Sequence, residues 1–252
     1  MHKSLTTTLL ALWLITSAAT AQIHSPAAVY NNADFTIQSA SITYNNTLDM
    51  LIFEMQVKGT AGRTVPNPIG RMNGAPVLAY VFPTTLKPTD VGFSATDGIV
   101  AMGLTSHPDM DDTPLWDENN DGVFDNDGIV WHPHWVVLAK DSRVPGGLSV
   151  KEFKKEDKAV TLPKTAPGIP MYFDSPGYNV VRSGQTIRMG VPLYRINNRK
   201  DFSFDAVSCY LEMSMGGTHA HHEPSPTKPM LGVYAVYSVL SGKLTLPYTV
   251  KK

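Results

Sequence analysis

Six histidines stand in three short segments: Ser-His-Pro-Asp-Met around His107, Trp-His-Pro-His-Trp around His132 and His134, and Thr-His-Ala-His-His-Glu around His219, His221 and His222. Neutral imidazole is a good ligand for zinc, copper and related ions. On an extended strand, residues i and i+2 share a face about 6.5–7 Å apart. The pairs His132/His134 and His219/His221 have that spacing, so each can turn two rings toward one ion. Neither pair alone fills a four-coordinate site. The spacing therefore predicts that His132 and His134 meet at least one of His219, His221 and His222 around a single ion, with His107 as a further ligand. Met110, Met213 and Met215 lie near these segments. Thioethers beside imidazoles suit copper, although Met213 also continues the apolar face of Val207, Cys209 and Leu211.

A second chemistry sits just upstream. Five carboxylates and three asparagines fall between Trp116 and Gly128, with no Lys or Arg from residue 88 to residue 139. Charge of one sign packed this densely repels itself unless a cation neutralises it. Asp117, Asn119 and Asp121 occupy positions 1, 3 and 5 of a D-x-N-x-D-G stretch, with Gly122 at position 6. The stretch resembles the calcium loop of EF-hand proteins. That resemblance implies side-chain oxygens from positions 1, 3 and 5, a carbonyl from Val123 and a further ligand in Asp125. Position 12 of the pattern is a bidentate Glu; here it is Gly128, so Asp127, or Asp111 and Asp112 from upstream, would supply the missing carboxylate. Calcium is the expected ion because every candidate ligand is a hard oxygen.

Two shorter resemblances concern the histidines. His-Pro-His-Trp resembles the His-x-His-Trp of alpha-type carbonic anhydrases, and His-Ala-His-His-Glu resembles the His-x-His and Glu of cupins. Neither family's remaining pattern can be laid over the chain, so neither activity is carried over.

Composition bounds what else the protein does. The net charge of -1 offers no broad attraction to nucleic acid or anionic lipid. The single cysteine, Cys209, cannot form an intramolecular disulfide. There is no G-x-S-x-G elbow, no phosphate-binding glycine loop and no haem-attachment motif. The first residues, MHKSLTTTLLALWLITSAATAQ, have a positive start, an apolar run from Leu9 to Ile15 and a small-x-small site at Ala19–Ala21. They read as a signal peptide, residues 1–21, cleaved after Ala21. Export to the periplasm or outside the cell is expected, with no transmembrane segment.

The elements that must position these groups are strands. With 19 Gly, 19 Pro and 17% charged residues, the chain is rich in turns and poor in amphipathic helix. Residues 35–44 and 48–59 alternate apolar and polar around Asn45-Asn46 and predict a hairpin. Residues 75–82 are apolar on both faces and predict a central strand. Further strands are expected at 98–105, 128–139, 186–194, 202–213, 230–240 and 243–250. Residues 149–160 suit a short helix or charged hairpin, and 164–179 a linker or long loop. The predicted architecture is all-β: one domain over 22–252, an antiparallel β-sandwich of jelly-roll or Greek-key type with long loops and an acidic metal-binding loop at 109–128.

The expected function is an exported metal-binding sandwich with a calcium loop and a zinc or copper site. One alternative is a metalloenzyme of hydrolase or lyase type, with three histidines holding the ion and Glu223 or an Asp of the acidic loop as general base. Another is a calcium-dependent module that binds a carbohydrate, another small molecule or a partner, with Trp116, Trp131 and Trp135 as an apolar platform.

Overall fold

Residues Ala75–Pro83, with nine consecutive buried side chains, can be satisfied only by a strand covered on both sides. The computed structural model describes residues 26–110, 129–214 and 227–252, and supplies both covers. The strands are β1 (Ile37–Asn45), β2 (Met50–Val57), β3 (Ala75–Pro83), β4 (Ile99–Ser106), β5 (His132–Lys140), β6 (Leu148–Val150) and β7 (Phe173–Asp174). They continue with β8 (Val180–Ser183), β9 (Thr186–Pro192), β10 (Ser203–Phe204), β11 (Val207–Met213), β12 (Leu231–Val239) and β13 (Tyr248–Thr249). Among the described residues no helix is long and apolar enough to cross a membrane.

All-β, antiparallel structure is as expected. The layering is not a simple sandwich. One sheet has four strands in the order β1-β2-β9-β8. The other runs β4-β3-β11-β12-β6-β5, and β4 pairs with β5 to close it into a six-strand ring, while β7 extends the edge of β5. Closure removes the exposed edges that an open sheet would present. Register shifts on β11 against β12, at Ser208/Cys209 and Tyr210/Leu211, provide the local bends that curling requires. Strand β11 lies beside β3, the first of the consecutive neighbours β3-β4-β5, which is a Greek-key return.

The period of two on β3 sorts its side chains into two cores. Leu78, Tyr80 and Phe82 join Phe53, Met55, Val100, Met102, Trp135 and Val137 between the ring and the four-stranded sheet. Phe53 meets Phe82 edge-on at 5.3 Å and Trp135 at 6.2 Å. Ala75, Val77, Ala79 and Val81 face the other way, into the ring, with Ala101, Val136, Leu138, Cys209, Leu211 and Val233.

Several expected elements differ. The run at 202–213 breaks into β10 and β11 at Asp205–Ala206, where the buried Asp205 carboxylate accepts from Ala206 N and Ser241 N. Residues 151–160 form neither helix nor hairpin; Lys151 is drawn off to Thr96 Oγ1 and the Asp97 carbonyl. Within 164–179 the two-residue β7 pairs with β5, so this segment belongs to the wall of the ring.

The joint between β6 and β12 rests on one residue pair, Ser149 opposite Gly232. A local ion pair steadies it. Asp141, after β5, accepts from Arg143 Nη2 at 2.7 Å and from Ser149 Oγ at 2.8 Å. Hydrogen bonds from the Arg143 side chain, with further ones from its backbone N–H and Ser149, hold the Asp141 carboxyl down to about 2 despite burial. A carboxyl depressed by folding contributes stability above its unfolded value and loses it as pH falls through the folded value. Asp141→Asn should therefore lower the unfolding free energy by about 2 kcal/mol at neutral pH. Urea titrations from pH 7 to pH 2 should show the gap between variant and wild type closing below about pH 4.

Candidate metal centre

Strand parity aims the histidines. Trp131 and Trp135 belong to the outer core, where Trp131 packs at a tilt against Tyr80, ring centroids 4.7 Å apart, and donates its indole N–H to the Gly62 carbonyl at 2.9 Å. With Trp135 fixed outward, His132 and His134 share the opposite face with Val136 and Leu138, toward the ring interior. On β4 the same face carries Ala101 and Thr105, and the period of two extends to His107. The β4–β5 register sets Thr105 opposite His132 and Gly103 opposite His134.

The loop that anchors Trp131 is itself anchored. Buried Asp34 accepts from Thr60 N at 2.7 Å, Arg63 Nη2 at 2.8 Å and Thr64 Oγ1 at 2.7 Å. Gly62 N donates to Tyr80 Oη, and the Gly62 carbonyl also accepts from Arg182. Gly62 has φ +67, and a Cβ there would lie 2.9 Å from the Trp131 ring, so only glycine fits.

His107, His132 and His134 therefore converge at one end of the ring. All three are buried, and one ring nitrogen from each lies within 4.8 Å of the other two. Their rings pack at centroid distances of 4.6 Å (His107–His132), 4.7 Å (His132–His134) and 5.9 Å (His107–His134). Phe173 of β7 stacks on His134 at 4.4 Å.

The hydrogen bonds define the chemistry. His107 Nδ1 is 2.8 Å from the Met110 carbonyl, and His132 Nδ1 is 2.6 Å from the Val130 carbonyl. A carbonyl only accepts, so both Nδ1 atoms carry a proton and Nε2 is the atom each ring turns toward the cluster, where His132 Nε2 also lies 3.5 Å from Thr105 Oγ1. His134 Nδ1 meets the Asp174 carbonyl at 3.3 Å and Ser175 Oγ at 3.1 Å. Imidazoles whose Nδ1–H is engaged by a carbonyl are oriented as metal ligands commonly are. His107 Nε2 and His132 Nε2 stand 2.8 Å apart. Two lone pairs at that distance repel; a shared proton or a cation between them turns the contact attractive. Tetrahedral ligation at 2.0–2.1 Å places ligand nitrogens about 3.3 Å apart, half an ångström wider. A void of about 10 Å³ among His107, His134, Thr105, Met110 and Phe173 gives the rings room to make that adjustment.

Other expected groups fare differently. Asp117, Asn119, Asp121, Val123, Asp125, Asp127, His219, His221, His222 and Glu223 lie outside the described residues, as do Asp111, Asp112, Trp116 and Met215. Asp109, at the start of the acidic run, accepts backbone N–H bonds from Ile69 and Gly70 and serves as a loop brace. Trp131 and Trp135 are buried, so they form no exposed platform for a sugar; the outer core needs their area more than the surface does. Cys209 is enclosed, and burial pushes its thiol up to about 12, which removes it as a nucleophile. The carbonyls of Met110, Val130 and Asp174 were not foreseeable, because backbone acceptors leave no mark in side-chain sequence. The shared parity of His132 and His134 with Val136 was visible in the strand pattern, whereas the expected strand at 98–105 stopped short of His107.

No family model, curated protein or solved structure matches this chain.

Long-range ¹H–¹⁵N spectra of the imidazoles should show the proton on Nδ1 for His107 and His132, with Nε2 shifting when zinc is added. Ligation through Nδ1 would contradict the carbonyl contacts.

Proposed function

We propose that the protein is an exported transition-metal-binding protein in which His107, His132 and His134 hold one ion, zinc or copper, through ring nitrogens. The observation that carries the reading is the convergence of three buried imidazoles, at least two of them fixed by backbone carbonyls as Nε2 ligands. Three imidazoles leave a fourth position for another ligand, and the 219–222 histidines suggested by spacing are the candidates within this chain. The leader-like residues 1–21 support export, to the periplasm or beyond the cell. Calcium in the 117–127 loop is a separate part of the proposal and rests on the D-x-N-x-D-G spacing alone.

A second reading is a metalloenzyme. It is favoured by Thr105 and His134, which line a cavity inside the ring and so give the centre a space beside it. A metal with three protein ligands and an adjoining cavity is a common arrangement for hydrolysis or lyase chemistry.

Elemental analysis of untagged protein should find one zinc or copper per chain. Chelator competition should show His107→Ala, His132→Ala and His134→Ala each weakening zinc affinity by at least ~100-fold, the upper range for loss even of a ligand's orienting partner. Zinc should also raise the melting temperature of wild type, because an ion bound only to the folded state stabilises it. Undiminished, wild-type zinc affinity in all three variants would sink the site. Melting with calcium against a chelator, on wild type and Asp121→Ala, tests the acidic loop independently.

A further inference from the structure

We propose that the interior of the ring is a binding site for one small apolar molecule, of alkyl or arylalkyl type, whose single polar end group, where it has one, lies at Thr105 and His134. A six-strand ring is narrower than the eight-strand barrels whose interiors side chains just fill. Yet this one encloses a cavity of about 260 Å³. The reason is the choice of residues: Ala79, Val81, Gly103, Val136, Cys209 and Val233 are small for the positions they occupy on the inner face. A dry cavity of 150 Å³ already binds benzene, so this volume suits a somewhat larger hydrocarbon body. Its polarity is one-sided. Thr105 and His134 stand at one end, and apart from the Cys209 thiol no other lining side chain among the described residues forms hydrogen bonds. At the other end Ile99, Leu148, Val239 and Leu244 are only partly buried, which marks the entrance. Leu244 reaches the cavity from a backbone at φ +52, a region that leucine rarely adopts, and Leu246 follows at φ +50. The strained segment holds an apolar side chain at the mouth.

This inference stands on the cavity and not on the metal. Butylbenzene titrated calorimetrically into EDTA-treated wild type should bind one per chain, with a negative heat-capacity change from apolar burial. Two variants fill the space. At Gly103 an added Cβ meets Thr105 Cγ2 at 3.7 Å and the His134 carbonyl at 4.0 Å, ordinary contacts, so Gly103→Val starts from a Cβ that fits and adds two methyl groups to the cavity wall. Ala79→Leu adds bulk from β3, which β4 separates from the histidine-bearing β5. Each variant that melts cooperatively should lose saturable binding; if Ala79→Leu fails to fold, Gly103→Val decides. No saturable binding to wild type, or undiminished binding to the folded filled variants, overturns the proposal. Zinc titrations on the same preparations report the metal centre separately, so one can fail while the other stands.

Discussion

The antiparallel pairing of β4 with β5 is the contact on which both the fold and the site depend. It turns a sheet into a ring, and the same seven residue pairs bring Thr105 opposite His132 and Gly103 opposite His134. A slip of one residue would send every side chain on β5 to the other face. The tryptophans make that slip expensive. Trp131 and Trp135 occupy the core between the ring and the four-stranded sheet, and no charged or imidazole side chain could replace them there without a buried, unmatched polar group. Histidine convergence is thus a consequence of tryptophan burial, transmitted through strand parity.

The site is also supported by groups from separate elements. Met110 follows β4, Val130 precedes β5, and Asp174 sits on β7; each supplies a carbonyl to a different imidazole. The Asp174 carboxyl is buried, which raises its pKa, and Thr165 Oγ1 donates to it. Phe173, its neighbour, stacks on His134. Rotation of any of the three rings would therefore break a hydrogen bond or a stacking contact, and preorganisation of this kind is what separates a built ligand set from histidines that happen to be close.

How much of this the sequence revealed follows from which interactions are periodic. The strands β1, β2 and β9 come from alternating stretches and β3, β4 and β12 from continuous apolar runs, and their positions could be read within a residue or two. The doubly apolar β3 was recognisable as central, because both its faces were already coded. Ring closure was not legible. It depends on β4 and β5 pairing across residues 107–131 and on β6 joining β12 through one residue pair, and neither leaves a periodic trace. The site was half legible: the i, i+2 spacing identified His132 and His134 as a pair. His107 looked secondary because it stands alone, just past the expected strand at 98–105, whereas in the fold it contacts His132 directly.

The two cores are built to different standards, and the contrast bears on function. Between the ring and the outer sheet, aromatic side chains interlock: Phe35 with Tyr80, Phe53 with Phe82 and Trp135, Tyr80 with Trp131. Inside the ring, small residues leave about 260 Å³ unfilled. At roughly 24 cal/mol per Å³ of cavity, such a space forgoes about 6 kcal/mol, comparable to the whole net stability of many domains. Larger side chains could recover part of that: Gly103 has room for a Cβ, and the small Ala79 and Cys209 border the same open space. A chain that only had to fold would gain by filling the ring. This one packs its outer core tightly and leaves its inner core open beside three convergent imidazoles, so the open volume is better understood as part of what the protein does than as a fault in how it folds.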